Sequence, residues 1–193
     1  MPVLVIAKLE QALPLAEALV KGGAKVLEIT LRSEVAVAAI DVICRAYPDL
    51  IIGAGSVIDV DQVAKVKAAG ADFIVSPGLD INVIEAARKN EMAILPGVMT
   101  PSEILVARRM GLKHLKLFPA EVAGGEALLT AVLGPISDVS FCPTGGVNPN
   151  NYQRYLTLKN VVCVGGSWIA PASLLESGKF QEITQLMHDA CSS

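Results

Sequence analysis

Eight short runs rich in β-branched and other apolar residues recur along this chain, spaced about 20 to 28 residues apart. They cover residues 3–7, 26–31, 50–54, 73–76, 92–95, 114–118, 139–142 and 161–164. Segments with helical spacing lie between and after them, notably 9–21, 34–47, 59–69, 81–90, 101–110 and 171–190. Strands that alternate with helices must pair in parallel, because each helix returns the chain to the same end of the sheet. Eight such units close a ring, so the pattern predicts an α/β fold of the (β/α)8 TIM-barrel type.

Length and composition favour one domain over residues 1–193. The chain has 193 residues, 52% of them hydrophobic, which suffices for one large core and not for two ordinary domains. An open, doubly wound parallel sheet is the alternative, since the chain is short for a barrel. However, the first run is not followed by the G-x-G-x-x-G turn of that fold.

Charge and composition also limit the expected partners. The 16 basic and 19 acidic residues are intermixed, and no basic run exceeds the pair Arg108 and Arg109, so no nucleic-acid surface is predicted. No stretch of about 20 apolar residues could cross a bilayer, and the N-terminal residues lack the features of a secretory signal. We therefore expect a soluble, cytoplasmic protein. The spacing of the four cysteines and two histidines predicts neither a zinc site nor a disulfide framework.

Polar and apolar side chains alternate in the second run. Leu27, Ile29 and Leu31 fall on one face of the strand, and Glu28, Thr30 and Arg32 fall on the other. In a barrel the apolar face packs against helices, so the polar face points inward, toward the C-terminal mouth where active sites of this fold lie. An interior ion pair or an exposed strand face would give the same alternation.

A lysine interrupts the apolar run at 114–118. Lys116 lies between Leu115 and Leu117, in a segment that otherwise resembles buried core. Burial disfavours the charged form of a lysine and favours the neutral amine, which can attack a carbonyl carbon to form a Schiff base. A side chain that reaches solvent from an edge, or one half of a salt bridge, is the structural alternative.

Glycine-rich turns follow three of the runs: 53–56 (GAGS), 144–147 (TGGV) and 165–167 (GGS). Glycine allows backbone amides to approach an anion closely, and loops after strands seven and eight commonly bind phosphate in this fold. The last two turns therefore predict a phosphate site, with Thr144 and Ser167 as additional hydroxyl donors. Ordinary tight turns are the alternative.

Seven segments of the chain resemble, in the same order, the family of 2-keto-3-deoxy-6-phosphogluconate aldolases and 4-hydroxy-2-oxoglutarate aldolases. They are 27–32 (LEITLR), 53–57 (GAGSV), 73–78 (FIVSPG), 95–101 (LPGVMTP), 115–120 (LKLFPA), 143–147 (PTGGV) and 165–168 (GGSW). The set extends over nearly the whole chain, so it is far more specific than any one segment. The resemblance implies a class I aldolase that cleaves 2-keto-3-deoxy-6-phosphogluconate to pyruvate and glyceraldehyde 3-phosphate, or 4-hydroxy-2-oxoglutarate to pyruvate and glyoxylate.

The resemblance also implies a role for each site residue. Lys116 forms the imine with the keto carbon, and Glu28 moves protons during the reaction. The substrate-binding residues are Arg32 and Ser56 at the pyruvate carboxylate, Thr144 near the C4 hydroxyl, Gly145, Gly146, Gly166 and Ser167 at the phosphate, and Phe118 and Pro77 as walls of the pocket. No metal and no cofactor is expected, because the imine replaces the Lewis acid of metal-dependent aldolases. Family members form trimers, so a homotrimer is expected.

Two other functional classes remain open at the level of the sequence. A barrel enzyme without covalent catalysis, such as an isomerase or a thiamine-phosphate-synthase-like transferase, would keep the Gly-Gly turns. It would not need an inward lysine opposite an inward glutamate. A non-catalytic barrel that senses a sugar phosphate would bind its ligand without forming product. Within the aldolase family, the galactonate-derived epimer is a further candidate substrate.

Overall fold

In the computed structural model, which describes residues 1–192, seven of the eight predicted runs contain a strand, and the strands lie side by side in chain order. They are β1 (Val3–Leu4), β2 (Val26–Thr30), β3 (Ile51–Gly55), β4 (Phe73–Val75), β5 (Ala93–Leu95), β6 (Gly97–Val98), β7 (His114–Leu117) and β8 (Ser140–Pro143). Every pairing between them is parallel, in a sheet ordered β1-β2-β3-β4-β5 and a second ordered β6-β7-β8. The parallel arrangement confirms the expectation from alternating strands and helices.

Backbone hydrogen bonds join the two sheets on one side at Pro96. This proline separates β5 from β6, and its carbonyl oxygen accepts a hydrogen bond of 2.9 Å from the backbone N–H of Lys116 on β7. Because proline has no N–H to donate, a regular strand ladder is interrupted at this residue. Strands β5 and β6 are therefore the two parts of one barrel strand.

The segment 161–166 joins the two sheets on the other side. It runs parallel to β8 through isolated bridges at Val161 and Gly165, where the sequence predicted a regular eighth strand. Its end pairs with the first strand: Val3 N donates to Gly166 O at 3.0 Å, and Gly166 N donates to Met1 O at 3.1 Å. The ring is closed by these contacts, as the predicted (β/α)8 barrel requires.

The helices surround the ring. They are α1 (Ala12–Lys21), which follows a 3-10 turn at Leu9–Gln11, α2 (Ala36–Ala46), α3 (Val60–Ala68), α4 (Ile81–Lys89), α5 (Pro101–Arg109), α6 (Gly125–Leu133), α7 (Tyr152–Leu156), α8 (Ala172–Glu176) and α9 (Phe180–Cys191). The prediction of one helical segment over 171–190 was wrong, because the structure has two helices there. Gly178, with a left-handed φ of 67°, separates α8 from α9. No helix within residues 1–192 is long and apolar enough to cross a membrane.

Apolar side chains fill the space between the ring and the helices. Leu27 and Ile29 of β2 are fully buried in one cluster, together with side chains of α1 and α2. Leu115 and Leu117 of β7 are fully buried in a second cluster, together with Tyr155 of α7. Burying each such leucine contributes about 1.5–3 kcal/mol, which fixes the rotation of both strands about their axes. The alternate side chains of β2 and β7 consequently point into the ring.

Candidate active site

An ion pair between Lys116 and Glu28 lies inside the barrel. Lys116 Nζ is 3.1 Å from Glu28 Oε1, with side-chain exposures of 5% and 0%. The two residues are brought together by β7 and β2, whose outward leucines leave the lysine and the glutamate facing inward. Each charge offsets part of the cost of removing the other from water. The structure therefore brings together the two residues predicted as catalytic. They form an ion pair in which the amino group of Lys116 lies next to the carboxylate of Glu28.

The second oxygen of Glu28 is free to interact with a bound molecule. Oε2 is buried and has no hydrogen-bond partner within residues 1–192. A buried carboxylate oxygen without a partner costs about 1–3 kcal/mol, so it favours any ligand that donates a hydrogen bond to it. Glu28 can thus contact Lys116 through one oxygen and a ligand through the other.

Gly55 makes room for the Glu28 carboxylate. A Cβ atom at Gly55 would lie 2.2 Å from Glu28 Oε1, which is closer than non-bonded atoms approach. Gly55 is the register neighbour of Thr30, two residues after Glu28 on β2. Glycine is therefore required at the end of β3 for the carboxylate to reach Lys116. The glycine-rich turn predicted there has a packing role that the sequence did not reveal.

Phe118 and Thr144 lie next to the ion pair. The Phe118 ring centroid is 5.2 Å from Lys116 Nζ, within cation–π distance. Thr144 is buried after β8, and a Cβ atom at Gly165 would lie 2.3 Å from its Oγ1, so Gly165 is as necessary to Thr144 as Gly55 is to Glu28. Phe118 therefore lies at the C-terminal end of β7, the strand of Lys116, and Thr144 lies at the C-terminal end of the neighbouring strand β8.

Arg32 and Ser56 meet at the mouth of the barrel. Arg32 Nε donates a hydrogen bond of 3.2 Å to Ser56 Oγ, linking the residues that follow β2 and β3. Ser56 has a left-handed φ of 58°, and Arg32 is exposed. A guanidinium has five N–H donors, so a contact through Nε still allows its terminal nitrogens to bind a carboxylate in the usual two-pronged manner. The structure thus pairs the two residues predicted to bind a carboxylate.

The Gly145–Gly146 turn follows β8 in a conformation that requires glycine. The two residues have φ values of 94° and 83°. The Gly146 carbonyl oxygen accepts hydrogen bonds from Asn148 Nδ2 at 2.9 Å and from Asn151 Nδ2 at 3.1 Å. Hydrogen bonds within the protein thus hold the Gly146 carbonyl and fix the shape of this turn.

The remaining predicted residues have different surroundings. Gly166 is buried, and both its N–H and its carbonyl take part in closing the ring. A Cβ atom there would lie 1.7 Å from the Trp168 ring, so glycine is needed for that ring to pack. Ser167 is exposed beyond the ring closure, and Pro77 is half-buried at the end of β4. Within residues 1–192, no group of three His, Cys, Asp or Glu side chains is placed to hold a metal ion.

Two residues near the Gly145–Gly146 turn were missed by the sequence analysis. The Tyr155 hydroxyl donates a hydrogen bond to the Glu121 carboxylate, and burial together with that carboxylate raises the pKa of Tyr155. Glu121 follows the LKLFPA segment directly, so its position in the motif was the available signal. Tyr155 gave no such signal in the sequence, because a tyrosine in a short helix is typical of a residue in the hydrophobic core.

The chain is similar in sequence to known aldolases. The family model described as KDPG and KHG aldolase matches residues 1–186. In these names KDPG is 2-keto-3-deoxy-6-phosphogluconate, and KHG is 4-hydroxy-2-oxoglutarate. A KHG/KDPG aldolase from Escherichia coli K12 is 50% identical over 189 residues, which cover 98% of this chain and 89% of that protein.

Two solved structures have nearly the same fold. A KDPG aldolase from Legionella pneumophila, with pyruvate captured as a covalent carbinolamine intermediate, matches with a TM-score of 0.95 at 48% identity, covering 97% of this chain and 91% of that one. The 2-keto-3-deoxy-6-phosphogluconate aldolase of Zymomonas mobilis ZM4, solved with 3-phosphoglycerate, matches with a TM-score of 0.92 at 40% identity, covering 98% of this chain and 89% of that one.

Proposed function

The chain belongs to the KDPG and KHG aldolase family, and from this premise we propose that it is a class I aldolase, a carbon–carbon lyase that reversibly cleaves 2-keto-3-deoxy-6-phosphogluconate to pyruvate and glyceraldehyde 3-phosphate. The buried pair of Lys116 and Glu28 is the observation that carries the proposal. Imine formation needs an amine nucleophile and a neighbouring group that takes up and returns protons, and this pair supplies both. The similar proteins do not favour the non-covalent alternative.

The proposed reaction begins when Lys116 passes a proton to Glu28, and the neutral Nζ then attacks the keto carbon of the substrate. Glu28 transfers the protons that convert the resulting carbinolamine to an iminium ion with loss of water. The iminium ion accepts the electron pair of the C3–C4 bond, so this bond breaks as the C4 hydroxyl gives its proton to Glu28, and the aldehyde departs. Glu28 then returns this proton to C3 of the enamine that remains, and water releases pyruvate from Lys116. In this scheme Glu28 acts as both acid and base.

The rest of the mouth fits the two ends of such a substrate. We assign the pyruvate carboxylate to Arg32 and Ser56, which already contact each other. Phe118 and Pro77 form walls beside the reacting carbon, and Thr144 faces the C4 hydroxyl. These assignments need no metal, since the iminium ion is the electron sink.

The anion at the other end of the substrate is assigned to Gly145, Gly146, Gly166 and Ser167. Of these, Gly145 and Gly146 form the preshaped turn, and Ser167 adds an exposed hydroxyl. The carboxylate of 4-hydroxy-2-oxoglutarate could occupy the same position, and the E. coli relative is named for both substrates. We therefore propose cleavage of that compound to pyruvate and glyoxylate as a second activity.

We further propose a homotrimer located in the cytoplasm. Exposed apolar side chains follow consecutive strands β3 to β6 on one side of the mouth: Ile58, Val60, Ile81 and Met99. A neighbouring subunit on this side would remove them from water. Light scattering tests the trimer, and a monomeric mass would contradict it.

A cytoplasmic location fits the substrate, because a phosphorylated acid does not cross membranes unaided.

Trapping with pyruvate tests the central proposal. After incubation with pyruvate and reduction by borohydride, mass spectrometry of the digested protein should show a reduced pyruvyl adduct on the peptide that carries Lys116. The peptide that carries the exposed Lys65 provides an internal control. A folded, pyruvate-saturated sample without the adduct would contradict the Schiff base and favour a non-covalent barrel. Faster cleavage of 4-hydroxy-2-oxoglutarate than of the phosphorylated acid would reverse the order of substrates.

Replacing Gly55 with alanine should lower kcat/KM on the order of 100-fold, because the new methyl group must displace the Glu28 carboxylate from Lys116, and a shift of about 1 Å can have that effect. A coupled assay of pyruvate release provides the measurement. Gly134→Ala is the matched control, since a Cβ atom there meets nothing within 4 Å. Unchanged kinetics in Gly55→Ala would show that the position of the carboxylate does not limit turnover.

A further inference from the structure

Glu121 supports the Gly145–Gly146 turn through both its backbone and its side chain. The backbone N–H of Glu121 donates a hydrogen bond of 3.1 Å to Gly145 O. A Cβ atom at Gly146 would lie 2.4 Å from Glu121 Cγ and 2.7 Å from Glu121 Cβ. The stem of Glu121 is therefore packed directly against the α-carbon of Gly146, and any movement of this side chain changes the space that the turn occupies.

Tyr155 fixes Glu121 in turn. Its hydroxyl donates a hydrogen bond to Glu121 Oε1, and the tyrosine is 0% exposed within the second apolar cluster. Gly125 leaves the room for this bond, since a Cβ atom there would lie 2.6 Å from the Tyr155 hydroxyl. A continuous line of contacts thus runs from the rigid core through Tyr155 and Glu121 to Gly146.

The hydrogen bond also decides where the charge of Glu121 lies. A carboxylate next to a turn that binds an anion would repel that anion if it were free to rotate toward it. The Tyr155 hydroxyl keeps Oε1 directed toward the core. Burial, followed by the hydrogen bond to Glu121, raises the pKa of Tyr155, so the hydroxyl stays protonated and remains a donor at neutral pH.

We infer that Glu121 and Tyr155 are positioning residues for the phosphate of the substrate: the tyrosine anchors the glutamate, and the glutamate holds the Gly145–Gly146 turn in its anion-binding shape. Neither residue needs to touch the reacting atoms. This inference rests on the proposed function in one respect, namely that the turn binds the phosphate. It predicts that damage to the pair weakens phosphate binding and leaves the chemistry at Lys116 intact.

The test compares Tyr155→Phe, Glu121→Gln and Glu121→Ala with the unmodified enzyme. Calorimetry with inorganic phosphate measures the affinity of the turn directly, and steady-state assays give kcat and KM for the phosphorylated acid. Tyr155→Phe should raise both the phosphate Kd and the KM about three- to tenfold, the effect of one hydrogen bond, with kcat within about twofold. Glu121→Ala should do at least as much. Glu121→Gln retains an oxygen that accepts from Tyr155, so it should stay within about twofold.

Two controls separate this role from a general loss of structure. Tyr47→Phe removes a tyrosine hydroxyl at the end of α2, and it should change neither constant. Trapping of pyruvate on Lys116 should proceed equally in all variants, because pyruvate has no phosphate. If Tyr155→Phe leaves the phosphate Kd and the KM unchanged, the inference is wrong. It is equally wrong if pyruvate trapping, kcat and KM all deteriorate together, since this would indicate a structural role alone. Failure of the unmodified protein to trap pyruvate would instead count against the proposed function.

Discussion

Replacing Lys116 with methionine is expected to lower turnover on the order of 10⁴-fold or more and to abolish the pyruvate adduct. Methionine has a similar length and an apolar stem, but its thioether cannot form an imine, so the covalent route is lost. A coupled assay that monitors the release of pyruvate from the phosphorylated acid gives the rate. Lys65→Met is the matched control, since it removes an exposed lysine on α3 and should leave turnover unchanged.

The same substitution also tests how the ion pair contributes to folding. With Lys116 replaced, the fully buried Glu28 carboxylate has no counter-charge, which should destabilise the protein by roughly 3–5 kcal/mol in urea unfolding. The double variant Lys116→Met, Glu28→Leu should recover most of that stability, because an apolar pair can replace a buried ion pair at little cost. It should remain inactive. Substantial turnover in either variant would contradict the assignment of Lys116 as the nucleophile.

Replacing Glu28 with glutamine is expected to lower kcat by about 10²- to 10⁴-fold, the usual effect of losing a general acid or base. Glutamine keeps the size of the side chain and an oxygen that can accept from Lys116, but it does not exchange protons at neutral pH. NMR can monitor the exchange of the pyruvate methyl protons for deuterium, and this exchange measures proton transfer at C3 directly. Glu34→Gln removes an exposed carboxylate six residues away and should have no effect.

The outcome for Glu28→Gln distinguishes two roles. If the amide variant exchanges the methyl protons as fast as the unmodified enzyme does, Glu28 only positions Lys116, and another group moves the proton. If exchange and cleavage fall together while slow adduct formation persists, Glu28 transfers protons at both stages. The unpartnered Oε2 atom favours the second result, because it can reach a ligand while Oε1 contacts the lysine.

The sequence predicted the barrel because its signals are local. In β2 and β7, alternation of apolar and polar residues determines which side faces the helices, so Glu28 and Lys116 could be placed in the interior without coordinates. The interruptions of the strands could not be predicted from the sequence pattern. Pro96 interrupts a strand by lacking one N–H, and residues 161–166 pair through isolated bridges, yet both segments read as ordinary apolar runs.

The parts of the site that the sequence did not predict depend on distant contacts. Glu121 and Tyr155 are separated by 34 positions, and their hydrogen bond exists only once α7 lies beside the segment that follows β7. Gly55 was predicted only as part of a glycine-rich turn, whereas the structure shows that it makes room for Glu28. A side chain's partner across the ring cannot be derived from periodicity, because periodicity fixes only the face on which a residue lies.

The closure of the ring has a consequence for how this chain is synthesised. Glu28 belongs to the sheet made first by the ribosome, and Lys116 follows 88 positions later in the second sheet. Until β7 emerges, the inner face of the five-strand sheet is open to water and Glu28 has no lysine partner, so the buried ion pair does not contribute to a half-made barrel. Completion of the catalytic pair thereby coincides with completion of the fold, and truncated chains that lack β7 should neither be stable nor bind pyruvate covalently.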